Sequence, residues 1–130
     1  FAWVVGPDPP MRKPVSESDA ELRTALAGHR ARVVEGCYAD LLRLLLHLAT
    51  EVIFLNPGVA TCIQNSRNRP WEPHKYESPE AQDANLDMLI EWIGRYEERN
   101  DDFSLRAHRR LFDGFAGKKR EVTSNAEDTI

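Results

Sequence analysis

At 130 residues, with 42% hydrophobic and 29% charged side chains, the chain suits one globular domain; that balance excludes a disordered polyelectrolyte. A formal net charge of −4, from 17 basic and 21 acidic residues, argues against a nucleic-acid binder that works through bulk charge. The longest apolar run, residues 41–49, is broken by Arg43 and His47 and falls far short of the ~20 residues that a membrane span requires.

Residues 1–5 are apolar but lack a basic leader, so a cytoplasmic protein is expected. Residue 1 is not Met, and the chain is expected to begin inside a longer product. Pro7, Pro9, Pro10 and Pro14 predict an extended segment over 6–15. Ser16 or Ser18 is the expected N-cap of a short helix that stops at Gly28. Residues 31–36, Ala-Arg-Val-Val-Glu-Gly, read as a short strand closed by glycine. Residues 38–48 carry six leucines with only Arg43 and His47 as a polar edge, which predicts a helix buried on most sides. Residues 51–55 predict a strand apolar on both faces, as inside a parallel sheet. Asn56 and Pro57 open a helix running to about Arg67.

Pro70, Pro73 and Pro79 then bound a loop around Trp71 and Tyr76. Ser78-Pro79-Glu80 starts the longest predicted helix, to about Asn100, with Leu86, Leu89, Ile90, Ile93 and Tyr96 at helical spacing. A last helix is expected over 104–114, a short strand at Val122 and a loose polar tail over 123–130. The alternation of helices and strands predicts a parallel α/β arrangement. Residues 1–122 are read as a single domain.

Ligands of such sheets gather beyond the carboxyl ends of the strands. One exit is Glu35-Gly36-Cys37-Tyr38, where a carboxylate would hold a water of a Mg²⁺–nucleotide complex or simply point to solvent. The other is Asn56-Pro57-Gly58, a helix start found in nearly every α/β protein. The most unusual stretch is 65–76. It joins Arg67, Arg69 and Lys75 to Trp71 and Tyr76 in a proline-stiffened loop, where guanidinium forks suit phosphate oxygens and aromatic faces suit a base or sugar ring. Six basic residues in 106–120 against one acid read mainly as a self-pairing or solvated surface. The four histidines lack metal-ligand spacing, Cys37 and Cys62 form no CxxC, and Cys37 reads as a small buried thiol. Residues 114–119, Gly-Phe-Ala-Gly-Lys-Lys, do not make a phosphate loop: the Ser/Thr for Mg²⁺ is missing and a helix precedes them.

Over about residues 31–120 the chain resembles a bacterial group of P-loop proteins related to adenylate and shikimate kinases. The likeness rests on Val33-Val34-Glu35-Gly36-Cys37-Tyr38, on Val52-Ile53-Phe54-Leu55-Asn56-Pro57-Gly58, on Arg67-Asn68-Arg69-Pro70-Trp71-Glu72-Pro73-His74-Lys75-Tyr76 and on residues 82–93. It implies a partial three-layer parallel-sheet P-loop kinase fold from which the opening strand, phosphate loop and helix are missing. It implies ATP and Mg²⁺ as cofactors of a complete member and a small-molecule acceptor. Glu35, Arg67 and Arg69 are the catalytic residues it implies, Glu35 through Mg²⁺-bound water, with Tyr38, Lys75 and Arg99 contacting substrate or phosphate. The i, i+2 spacing of the two arginines departs from the i, i+4 pairs of adenylate kinases.

The leading expectation is therefore the C-terminal portion of an ATP-dependent phosphotransferase, inactive as these 130 residues alone because they hold no phosphate cradle. The alternative is a catalytically silent protein that self-associates, as a homodimer for instance, to cover its incomplete sheet.

Overall fold

The computed structural model describes residues 1–4 and 11–126. They fold as mixed helix and sheet in two compact units, Phe1–Thr50 and Glu51–Ile130. Residues 6–10, half of the extended segment expected over 6–15, lie outside the described residues.

The first unit is helical. Helix α1, Val15–Leu26, starts directly after Pro14, whose φ of −52° suits helix entry. Neither Ser16 nor Ser18 is its cap. Ser18 sits inside the helix, fully buried, and donates its hydroxyl to the Phe1 carbonyl at 2.9 Å. That bond, with the antiparallel bridge between Trp3 and Arg12, ties the chain start to α1. Helix α2, Ala39–Leu45, gives way to a 3₁₀ turn over Leu46–Leu48. Leu22 of α1 packs with Leu41 and Leu45 of α2, flanked by Val15 and Tyr38. The leucine-rich helix is thus buried along one side, with Leu44 and Leu48 exposed, because α1 is the only other α-helix among the described residues of this unit.

Residues 31–36 are not a strand. Their backbone has no ladder partner among the described residues, and Val33 is 76% exposed. β-branched side chains make a segment fit for a sheet, but only a neighbouring strand satisfies its N–H and C=O groups.

The second unit holds a two-stranded parallel sheet. Strand β1, Glu51–Leu55, pairs with β2, Lys118–Val122, from Glu51 opposite Lys118 to Leu55 opposite Val122. Three helices lie between them in sequence: α3, Val59–Arg67; α4, Pro79–Gly94; and α5, Leu105–Gly114. A parallel pair needs such a long connection. The α3 helix begins two residues later than expected, because Gly58 at φ +99° makes the turn out of β1 and Asn56 turns its side chain elsewhere. Ser78 and Ser104 cap α4 and α5, each accepting the amide of the third residue on at 3.1 Å. Helix α4 ends at Gly94, six residues short of the expected limit.

Phe54, buried on β1, packs against Phe112 and His108 of α5 at ring-centroid distances of 5.8 and 6.3 Å. Phe54 and Val122 are the buried residues of the sheet, whereas Leu55 is 58% exposed, so β1 is not apolar-covered on both faces. The expected loose tail is anchored where it is described. Asn125 and Asn65 of α3 exchange amide hydrogen bonds at 2.8 and 3.1 Å, and residues 127–130 lie outside the described set. No helix among the described residues is long and apolar enough to cross a membrane.

Candidate functional site

The expected site residues divide between the two units. Glu35 and Tyr38 belong to the first, and Arg67, Arg69, Lys75 and Arg99 to the second. Glu35 is exposed, one residue before Gly36, whose φ of +152° bends the chain towards α2. Tyr38 is half-buried at the start of α2. Its hydroxyl accepts the Trp3 indole N–H at 2.8 Å, and the Arg12 guanidinium lies 4.8 Å from its ring centroid.

In the second unit the loop between α3 and α4 collects three of the cations. Arg67 ends α3, Arg69 follows two residues on, and both are exposed with no side-chain hydrogen bond or ion pair among the described residues. Lys75, also exposed, stays near Glu72 at 3.7 Å. The loop itself is firmly built. Gln82, on the first turns of α4, donates from Nε2 to the Pro70 carbonyl at 3.1 Å and accepts the Glu72 amide at 2.8 Å. Its side-chain amide acts as a peptide group bracketing Trp71. The Trp71 indole donates to the Tyr76 carbonyl at 3.1 Å, and the Tyr76 hydroxyl accepts Asn85 Nδ2 at 3.0 Å. The Lys75 and Tyr76 amides both reach the Glu72 carbonyl at 3.0 Å. Backbone groups that would otherwise need water are thereby satisfied internally, which holds the loop to one shape.

Arg99 stands apart from that loop. Its guanidinium lies 4.1 Å from the Trp92 ring centroid and donates to the Trp92 and Phe103 carbonyls at 2.7 and 3.3 Å. It closes the C-terminal end of α4, where orphan carbonyls favour a cation.

A second cluster sits where β2 meets α5. Arg109 makes a bidentate pair with Glu121 at 2.9 and 2.7 Å, and Asn56 Nδ2 adds a third bond to Glu121 at 3.0 Å. These bonds, the arginine's first, hold the Glu121 carboxyl well below its ordinary range, at about 2. The Arg109 guanidinium is pushed up by the same pair. Tyr96 Oη and His108 Nδ1 are 2.7 Å apart nearby. The basic run 106–120 therefore pairs largely within its own unit: Lys118 meets Glu51 at 3.3 Å, and Lys119 donates to the Phe112 carbonyl at 2.9 Å. Residues 114–119 lead from α5 into β2, the reverse of a strand-to-helix phosphate loop.

Sequence reading missed Gln82, Asn85 and the Glu121–Arg109–Asn56 cluster. Gln82 and Asn85 look like ordinary polar helix positions, and Asn56 and Glu121 are 65 residues apart. Burial pushes the Cys62 thiol up from its ordinary range. No group of three or more His, Cys, Asp or Glu side chains among the described residues is placed to hold a metal ion. Comparison with protein-family models, with curated proteins and with solved structures gave no match.

Proposed function

We propose that the chain carries the phosphate-neutralising part of an ATP-dependent phosphotransferase, of the P-loop kinase kind, acting on a small acceptor. The single observation behind it is the pair of exposed guanidinium groups of Arg67, at the end of α3, and Arg69, in the loop that α4 holds in shape, which make no side-chain hydrogen bond or ion pair among the described residues. Phosphoryl transfer spreads negative charge over the oxygens of the moving group, and cations set in place beforehand lower its barrier. Lys75 supplies a third positive charge in the same loop.

Three exposed cations fit phosphate oxygens. When bound, ATP supplies the phosphoryl group and Mg²⁺ neutralises its oxygens. The glycine-rich amide nest is not among these 130 residues, so in this reading it comes from chain outside them. A self-associating, catalytically silent module is the second reading, favoured by Leu55, which leaves apolar surface open on β1.

The kinetic test uses this chain joined to a glycine-rich phosphate loop, the combination that the proposal requires. Arg67→Ala and Arg69→Ala are each expected to lower kcat by about 10²–10³-fold. Because both side chains are exposed and unpaired, the unfolding midpoint should stay within about 2 °C. Turnover unchanged in both variants would overturn the proposal.

A further inference from the structure

A strand at the edge of a sheet leaves the N–H and C=O of every second residue without a partner, and another extended chain supplies what they lack. The two-stranded sheet has two such edges. That of β2 runs through Lys118, Lys119 and Arg120, all exposed, and a run of cations keeps an edge from pairing. That of β1 carries no charge after Glu51, and Leu55 on it is 58% exposed. The Asn56 amide reaches the Val122 carbonyl at 2.8 Å, so by alternation Val52 and Phe54 also turn their backbone groups to β2. Those of Glu51, Ile53 and Leu55 turn away, and among the described residues nothing receives them. Residues 31–36 hold the complement. All six are exposed, two are adjacent valines, and none makes a backbone hydrogen bond among the described residues.

We infer that the free edge of β1 takes residues 31–36 of a second copy of this chain, as a parallel third strand with Arg32 opposite Glu51. The inference rests on the self-associating reading above and gives it an interface. Charge fixes the direction. In the parallel register Val33 and Val34 stand beside Val52 and Ile53, and Arg32 stands beside Glu51. That carboxylate already meets Lys118 at 3.3 Å and has a second oxygen to offer. The antiparallel register that brings the same valines onto Val52 and Ile53 sets Glu35 against Glu51, and like charges directly opposite repel. The parallel ladder is then specified bond by bond. The Ile53 and Leu55 amides donate to the Val33 and Glu35 carbonyls, and the Val33 and Glu35 amides donate to the Glu51 and Ile53 carbonyls. The Val34 amide turns away.

Sedimentation equilibrium of the 130-residue chain, with amide exchange followed at rising concentration, tests this. Self-association is expected, and with it at least ten-fold slower exchange at Val33, Glu35, Ile53 and Leu55 but not at Val34. Val33→Pro removes one donor from a segment outside every helix and strand, so it should weaken association at least ten-fold while the monomer stays folded. Arg32→Glu should weaken it several-fold, and less so at high salt. Association that protects Ile53 and Leu55 but not residues 31–36 overturns the proposal in favour of β1 pairing with itself. Protection independent of concentration overturns it in favour of pairing within one chain. Association that protects neither segment, or that survives Val33→Pro unchanged, overturns this interface and leaves the self-associating reading standing. A monomer at every concentration overturns both.

Discussion

Glu121 shows how much one carboxylate can hold together when its acceptors are filled. Two bonds from Arg109 and one from Asn56 join α5, β2 and the exit of β1, with the glutamate side chain about a quarter exposed. Charge-assisted bonds at a partly solvated site contribute about 1–2 kcal/mol, so Glu121→Gln should lower stability at pH 7 by that amount in urea unfolding. The pH dependence follows from the sign of the shift. The carboxyl titrates near 2 in the folded chain against an ordinary 4.5, so its contribution is complete above 4.5 and drains away as pH falls towards 2. The native chain should lose more stability across that window than Glu121→Gln. Equal losses would show that the pair contributes nothing. Arg109, spent on this pair, and Arg99, spent on the end of α4, contrast with Arg67 and Arg69, which are exposed and make no side-chain hydrogen bond or ion pair among the described residues.

Among the elements, some short-range features were legible in the sequence, though not the start of α1, where neither Ser16 nor Ser18 is the cap. Ser78 and Ser104 cap their helices through bonds to an amide three residues away, and such a contact is written in consecutive letters. The β1 strand showed in its apolar run, and the Arg67–Tyr76 loop in its prolines. Long-range features were legible only in part. The short strand expected at Val122 is the end of β2, which pairs in parallel with β1 as expected. The three successive cations of residues 118–120 give no strand pattern and join β2 because β1 lies beside them. Conversely, residues 31–36 have strand composition and no partner among the described residues. Of the candidate site, the cations and aromatics were readable but not the hydrogen bonds that fix them, because Gln82 reaches back 10 and 12 residues. Gln82→Ala should therefore leave α4 intact and loosen the loop. Amide exchange of Glu72 should rise about ten-fold or more, since one bond of about 1.5 kcal/mol is worth that factor. Unchanged exchange would mean that prolines alone hold the loop.

At the scale of the molecule, two compact units divide the residues that sequence reading grouped as one site, with the loop cations in the second. That unit has a parallel strand pair, α5 against β1, and α4 holding the cationic loop. Glu121 and Glu51 take two cations of the basic run, Arg109 and Lys118, whereas Arg67 and Arg69, like Arg106 and Arg110, are exposed and form no ion pair among the described residues. The most direct measurement is an NMR titration of the 130-residue chain with pyrophosphate, following arginine Nε–H and lysine side-chain signals. Shifts centred on Arg67 and Arg69, with Lys75 responding more weakly, are expected. Shifts centred instead on Arg106 and Arg110, or none in the loop at a concentration where phosphate-binding sites fill, would contradict the account and favour the silent module.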